Sequence, residues 1–89
     1  MRVSDQFVLR TIAGENLLIP VGEAAISVKG LIALSESGVL LFERLKGGCT
    51  LEDLISALRG EYDVSPEEAL RDTQAFLEQM RRLNMLIEE

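Results

Sequence analysis

At Ser35 the spacing of apolar residues changes, and that change constrains the fold more than anything else in the chain. Before it, the apolar residues fall in short runs with strand character: "QFVLRTI" (6–12), "NLLIPV" (16–21) and "LIAL" (31–34). After it, in "SESGVLLFERL" (35–45), Val39, Leu40, Leu41, Phe42 and Leu45 crowd one side of a helix. A chain that is sheet-forming first and helix-forming afterwards must lay one face of a sheet against a helical cluster. With 89 residues it can build one core, and 47% hydrophobic residues suffice to fill it without a metal or disulfide staple.

The first two runs are separated by "AGEN", whose Gly14 and Asn16 tolerate positive φ, so they predict a hairpin. Pro20 cannot donate to a ladder and belongs at a strand end or bulge, with Gly22 behind it. Ala24–Lys29 fits a loop or a strand, Gly30 a bend, and Leu31–Leu34 the third strand. Ser35 then caps a helix over 36–46 that Gly47 and Gly48 close. Thr50, with Asp53 three residues on, opens a second helix whose apolar face is Leu51, Leu54, Ile55 and Leu58 and which Gly60 ends. Ser65, Pro66, Glu67 and Glu68 start the third, with a stripe of Ala69, Leu70, Thr73, Phe76, Leu77, Met80 and Leu83. Met85–Ile87 leave that helix as a last extended piece. The expectation is a single α+β domain over 1–89 of winged helix-turn-helix type, with a three-stranded antiparallel sheet followed by three helices.

Composition narrows the function classes. There is no histidine and only one cysteine, which excludes an intrachain disulfide and the usual zinc sets, and no glycine loop suited to phosphate is present. A cofactor-free protein that is not an enzyme is expected. Cys49 stands before a helix start that would lower its pKa, but with no histidine to activate it an inert thiol is the better reading. Glu67-Glu68 and Glu88-Glu89 are first-turn and tail charges, not an acid/base pair. The formal charge of -6 opposes nucleic acid and anionic membranes. A winged-helix DNA-binding regulator is the alternative reading, but it needs a basic face. The third helix sets Arg71, Arg81 and Arg82 against Glu67, Glu68, Asp72 and Glu78. No apolar run approaches the ~20 residues of a membrane span, and none follows the charge in "MRVSDQF", so a cytoplasmic location is expected.

Three stretches carry a resemblance: "LLIPVG", "LSESGVLLFERLKGGCTLEDLISAL" and "YDVSPEEALRDTQAFLEQMRRLNML". They resemble the PqqD family, the peptide-binding modules known as RiPP recognition elements, over about Phe7 to Leu86. The matching features are Leu34-Ser35, Leu45-Lys46-Gly47, Thr50 to Leu54 and Asp72 to Leu77. The segment from Gly22 to Leu34 is longer than in the PqqD of pyrroloquinoline quinone synthesis, a departure that bears on the pathway rather than on the family. The resemblance implies a standalone, chaperone-like module of natural product biosynthesis. Such modules bind the leader segment of a ribosomally synthesised precursor peptide as an added strand, in a groove between the third strand and the third helix. They present it to a tailoring enzyme, most often a radical-SAM maturase.

Taken with that resemblance, the peptide-binding candidates are Lys29, Leu31, Ile32, Ala33 and Leu34 on the strand and Leu70, Arg71, Gln74 and Leu77 on the helix. Arg71 would attract an acidic leader residue. The other flank of the helix, beside Asp72 and Gln79, stays open as the wall. On the residues alone, Leu31–Leu34 is an ordinary core strand, Leu77 is core with Phe76 and Met80, and Arg71 and Gln74 are solvated. Asp72 can serve as a cap or a local ion-pair partner. An outer apolar strand is poorly protected against self-pairing, so a weak homodimer that peptide displaces is expected.

Overall fold

The computed structural model describes residues 1–88. In chain order the elements are β1 (Arg2–Val3), β2 (Phe7–Ile12), β3 (Glu15–Pro20), α1 (Ala24–Ser27), β4 (Ile32–Leu34), α2 (Glu36–Lys46), α3 (Leu51–Glu61), α4 (Pro66–Arg82) and β5 (Leu86–Ile87). The expected three-stranded antiparallel sheet is present, in the order β2-β3-β4. A second, two-stranded antiparallel sheet pairs β1 with β5.

The pleat sorts the sheet's side chains. Leu9, Leu18 and Ile32 are cross-strand neighbours on the core face, as are Phe7 with Pro20 and Asn16 with Leu34. Leu18 is completely buried and Phe7 nearly so. Val8, Leu17, Ile19 and Ala33 occupy the opposite face. The core face meets a single cluster that includes Leu41, Phe42 and Leu45 of α2, Leu54 and Leu58 of α3, and Ala69, Phe76, Leu77 and Met80 of α4. Thr73 is buried among them, and its hydroxyl finds no hydrogen-bond partner among the described residues. Leu70, expected in the apolar stripe, is 37% exposed at its edge.

Side-chain caps set the helix starts. Ser35 Oγ accepts from Gly38 N at 3.2 Å, and Ser65 Oγ from Glu68 N at 3.1 Å. Thr50 and Asp53 exchange bonds in a capping box, at 3.2 and 3.0 Å. The bonds from Thr50 hold the Asp53 carboxyl below the ordinary aspartate range. Gly60 does not stop α3, which runs on to Glu61 before Tyr62 turns extended, its amide bonded to Leu58 O.

Three features depart from the sequence reading. The hairpin turns on Ala13 (φ 52°) and Gly14 (φ 80°), with Asn16 inside the strand, since Ile12 pairs directly with Glu15. Ala24–Ser27 is a helical turn rather than a loop or strand, and Gln6 Oε1 accepts from Ala24 N at 2.9 Å across 18 residues. The third strand begins at Ile32, because Gly30 at φ 93° bends the chain and leaves Leu31 outside the ladder. The expected extended tail exists as β5. Asn84 takes φ 55°, Asn84 N bonds Arg81 O, and Met85 N bonds Met80 O at 2.9 Å, a Schellman closure with Met80 and Met85 both fully buried. Arg81 Nε then holds Glu88 Oε1 at 2.6 Å. Among the described residues no helix is long and apolar enough to cross a membrane.

Ala13 occupies a left-handed position that Asn or Gly fills more easily in a two-residue hairpin loop. Ala13→Asn is expected to stabilise the protein by about 1 kcal/mol, read as a higher denaturant midpoint with an unchanged slope.

Candidate functional site: an open strand edge between two clefts

β4 is the last strand of its sheet, paired only with β3, so its other edge offers backbone donors and acceptors to a partner. The strand is anchored at its end. Leu34 is 8% exposed, and Ser35 ends the strand by capping α2. Ile32 is half-buried, whereas Ala33 and Leu31 are exposed. Gly38 lies in the first turn of α2 against this anchor, where a Cβ would meet Leu34 Cβ at 3.5 Å and Ser35 Oγ at 3.4 Å.

A cleft borders each end of β4. Where the strand runs into α2, a cleft of about 380 Å³ is lined by Ser35, Ser37, Gly38 and Leu41, by Leu58 of α3, and by Asp72, Ala75, Phe76 and Gln79 of α4. Where the chain approaches β4, a cleft of about 490 Å³ lies between Gln6 and Phe7, the α1 segment Glu23–Lys29 and the end of α4 at Arg82 and Leu83. Asp72, Ala75, Gln79 and Arg82 follow one another at three- and four-residue steps, so one flank of α4 serves both clefts. β4 itself packs on β3 and α2 rather than closing onto α4. Ile32, Ala33 and Leu34 line neither cleft; the strand edge, the clefts beyond its two ends and the α4 flank they share together make up a candidate trough.

None of the expected helix-wall residues Leu70, Arg71, Gln74 and Leu77 lines either cleft. Leu77 is core at 3% exposure, and Leu70, Arg71 and Gln74 are exposed but do not line either cleft. Arg71 lies two and a half turns from a core-centred residue such as Met80, which points it to the side away from the core. Asp72, Ala75, Gln79 and Arg82 line the clefts instead, on the flank beside Asp72 and Gln79 that the sequence reading left open. Of the strand candidates, Ile32 and Ala33 form the edge and Lys29 lines the larger cleft. Leu34 turns its side chain into the core, so only its backbone is on offer.

Burial pushes the Cys49 thiol above its ordinary pKa, and Asp53 adds to that, so the thiol stays protonated at neutral pH. Among the described residues no cluster of histidine, cysteine or carboxylate side chains could hold a metal ion. The trough suits recognition of an extended chain: main-chain bonds along β4 and side-chain contacts in the clefts at either end.

The family model for coenzyme PQQ synthesis protein D (PqqD) matches residues 17–86. The chain belongs to the PqqD family. The matched region of this PqqD-family chain holds most of β3, all of β4 and the four described helices, and so the lining of both clefts except Ser4, Gln6 and Phe7. No curated protein matches the sequence. Two solved structures share the fold. One is described as TbiB1 in complex with the TbiA(beta) leader peptide, with 24% identity, a TM-score of 0.78, and coverage of 100% of this chain and 98% of that one. The other, lasso peptide synthetase B1 complexed with the leader peptide, has 20% identity, a TM-score of 0.75, and coverage of 98% and 96%.

Gly38 has room for a methyl group at ordinary contact distance, and alanine is the better helix former. Gly38→Ala is expected to stabilise the fold by about 0.5–1 kcal/mol, measured by chemical denaturation.

Proposed function

We propose that this chain is a peptide-recognition module that binds the leader segment of a ribosomally synthesised precursor as an added strand on β4 and presents it to a tailoring enzyme. The observation that carries the reading is the open edge of β4 facing a trough walled by α4. Membership of the PqqD family supports it, as does a fold shared over nearly the full chain with two proteins solved with leader peptides. The module works by binding alone, without a cofactor, and leaves catalysis to its partner, for which a radical-SAM maturase or another RiPP-modifying enzyme is the expected class. Its acidic balance and the scarcity of cations on α4 speak against the DNA-binding alternative.

Strand addition uses whichever amides of β4 face away from β3. Proline at Ile32 tests one register and proline at Ala33 the other. With a synthetic leader peptide that binds the unaltered protein, one of the two is expected to weaken binding about tenfold, with the fold checked by circular dichroism. Amide shifts on titration should concentrate on Ile32–Leu34 and on Asp72, Ala75, Gln79 and Arg82. Shifts confined to Leu51–Leu58, with β4 silent, would reject the site.

The same free edge supports weak pairing with a second copy of the chain. Sedimentation at rising concentration should show a monomer-dimer balance that leader peptide moves to monomer. A stable dimer untouched by Ile32→Pro would remove β4 from the interface.

A further inference from the structure

The two ends of the trough differ in charge. At the end that precedes β4, Lys29 and Arg82 line the cleft against one carboxylate, Glu23. Arg82 also touches Glu78, but only at 3.6 Å and with 78% of its side chain exposed, so it remains open to a second anion. At the end that follows β4, Asp72 is the one charged side chain lining the cleft, beside the neutral Ser35, Ser37 and Gln79. In a chain with net charge -6, two cations at one end of a binding trough make a local excess of the opposite sign. β4 runs antiparallel to β3, and a strand added antiparallel to β4 continues that pattern. Such a strand would lay its N-terminal part beside Asp72 and its C-terminal part beside Lys29 and Arg82.

Resting on the strand-addition reading above, we infer that Asp72, Lys29 and Arg82 select an extended peptide by the order of its charges, with a basic residue first and an acidic residue downstream. The ends of the trough are set by Lys29 and Ser35. At about 3.3 Å per residue the acidic residue lies about five to seven positions after the basic one. Each contact is an exposed ion pair and weak alone, so discrimination comes from the ends acting together. The ordered pair does more than favour one composition: it orients the strand, because a peptide bound in the reverse direction places like charges at both ends.

The test uses peptides selected on the intact protein from a random library displayed on phage, then synthesised and measured by fluorescence anisotropy at low salt. Selected peptides are expected to carry the basic-then-acidic order. Transposing the two charges within one peptide should weaken binding about tenfold, because two or three exposed pairs are lost together. The triple variant Asp72→Lys, Lys29→Glu, Arg82→Glu should prefer the transposed peptide, with an unchanged melting curve excluding misfolding. Selected peptides without charge order, or a transposition that affects both proteins alike, would overturn the inference. Ala33→Pro and Ile32→Pro separate it from the reading beneath it. Binding that is proline-sensitive but indifferent to charge order overturns the charge selection alone. Binding indifferent to both prolines overturns strand addition itself, and a selection that yields no binder overturns both.

Discussion

Burial of Leu34 is the interaction on which the site depends. Its side chain enters the core while Ala33, one residue earlier, faces the other side of the sheet, as the pleat requires. One residue later, Ser35 leaves the ladder and bonds the amide of Gly38, so the chain turns from strand to helix with no loop between. The first turn of α2 packs against Leu34 at Gly38, where a Cβ would lie 3.5 Å from Leu34 Cβ. The consequence is a strand held firmly at one end and along one edge. Its other edge stays open because no later element returns to pair with it. The last extended segment, β5, pairs with β1 instead.

That second sheet explains how a short edge strand can be left open in so small a protein. The Schellman closure at Asn84 reverses the chain out of α4, and Met85, fully buried, brings β5 against β1. Val3 is carried into the core, and Cys49 N bonds Met1 O at 2.9 Å. The N-terminal segment is thus fastened to α2 and to the exit of α4.

Electrostatics refine this frame without holding it up. The ion pairs at the end of α4 are exposed and contribute little to stability. The capping carboxylate of Asp53 is likewise a local device. On the strand-addition reading, charges along the trough would act on a bound chain more than on the fold, because an incoming strand would meet them at defined positions.

The sequence by itself determined what depends on neighbours a few residues away. Ser35, Thr50 and Ser65 mark the three long helices because a cap acts within one turn, and the 36–46 helix has the predicted bounds. Pro20 ends its strand for an equally local reason. The family was legible in the ordered set of these signals, and the edge strand in the run before Ser35. Tertiary structure decided the rest. Gln6 stabilises the α1 turn from 18 residues away, and Ala13 takes a left-handed conformation because the pairing of Ile12 with Glu15 demands it. The rotation of α4 was decided in the same way. Its apolar stripe has two flanks of similar polarity, and only the packing of α4 on α2 and α3 turns Asp72, Ala75, Gln79 and Arg82, rather than Leu70, Arg71 and Gln74, toward the clefts beside β4. Periodicity specifies which face of a helix is buried, but the side on which a neighbouring strand passes is set by contacts distant in the chain.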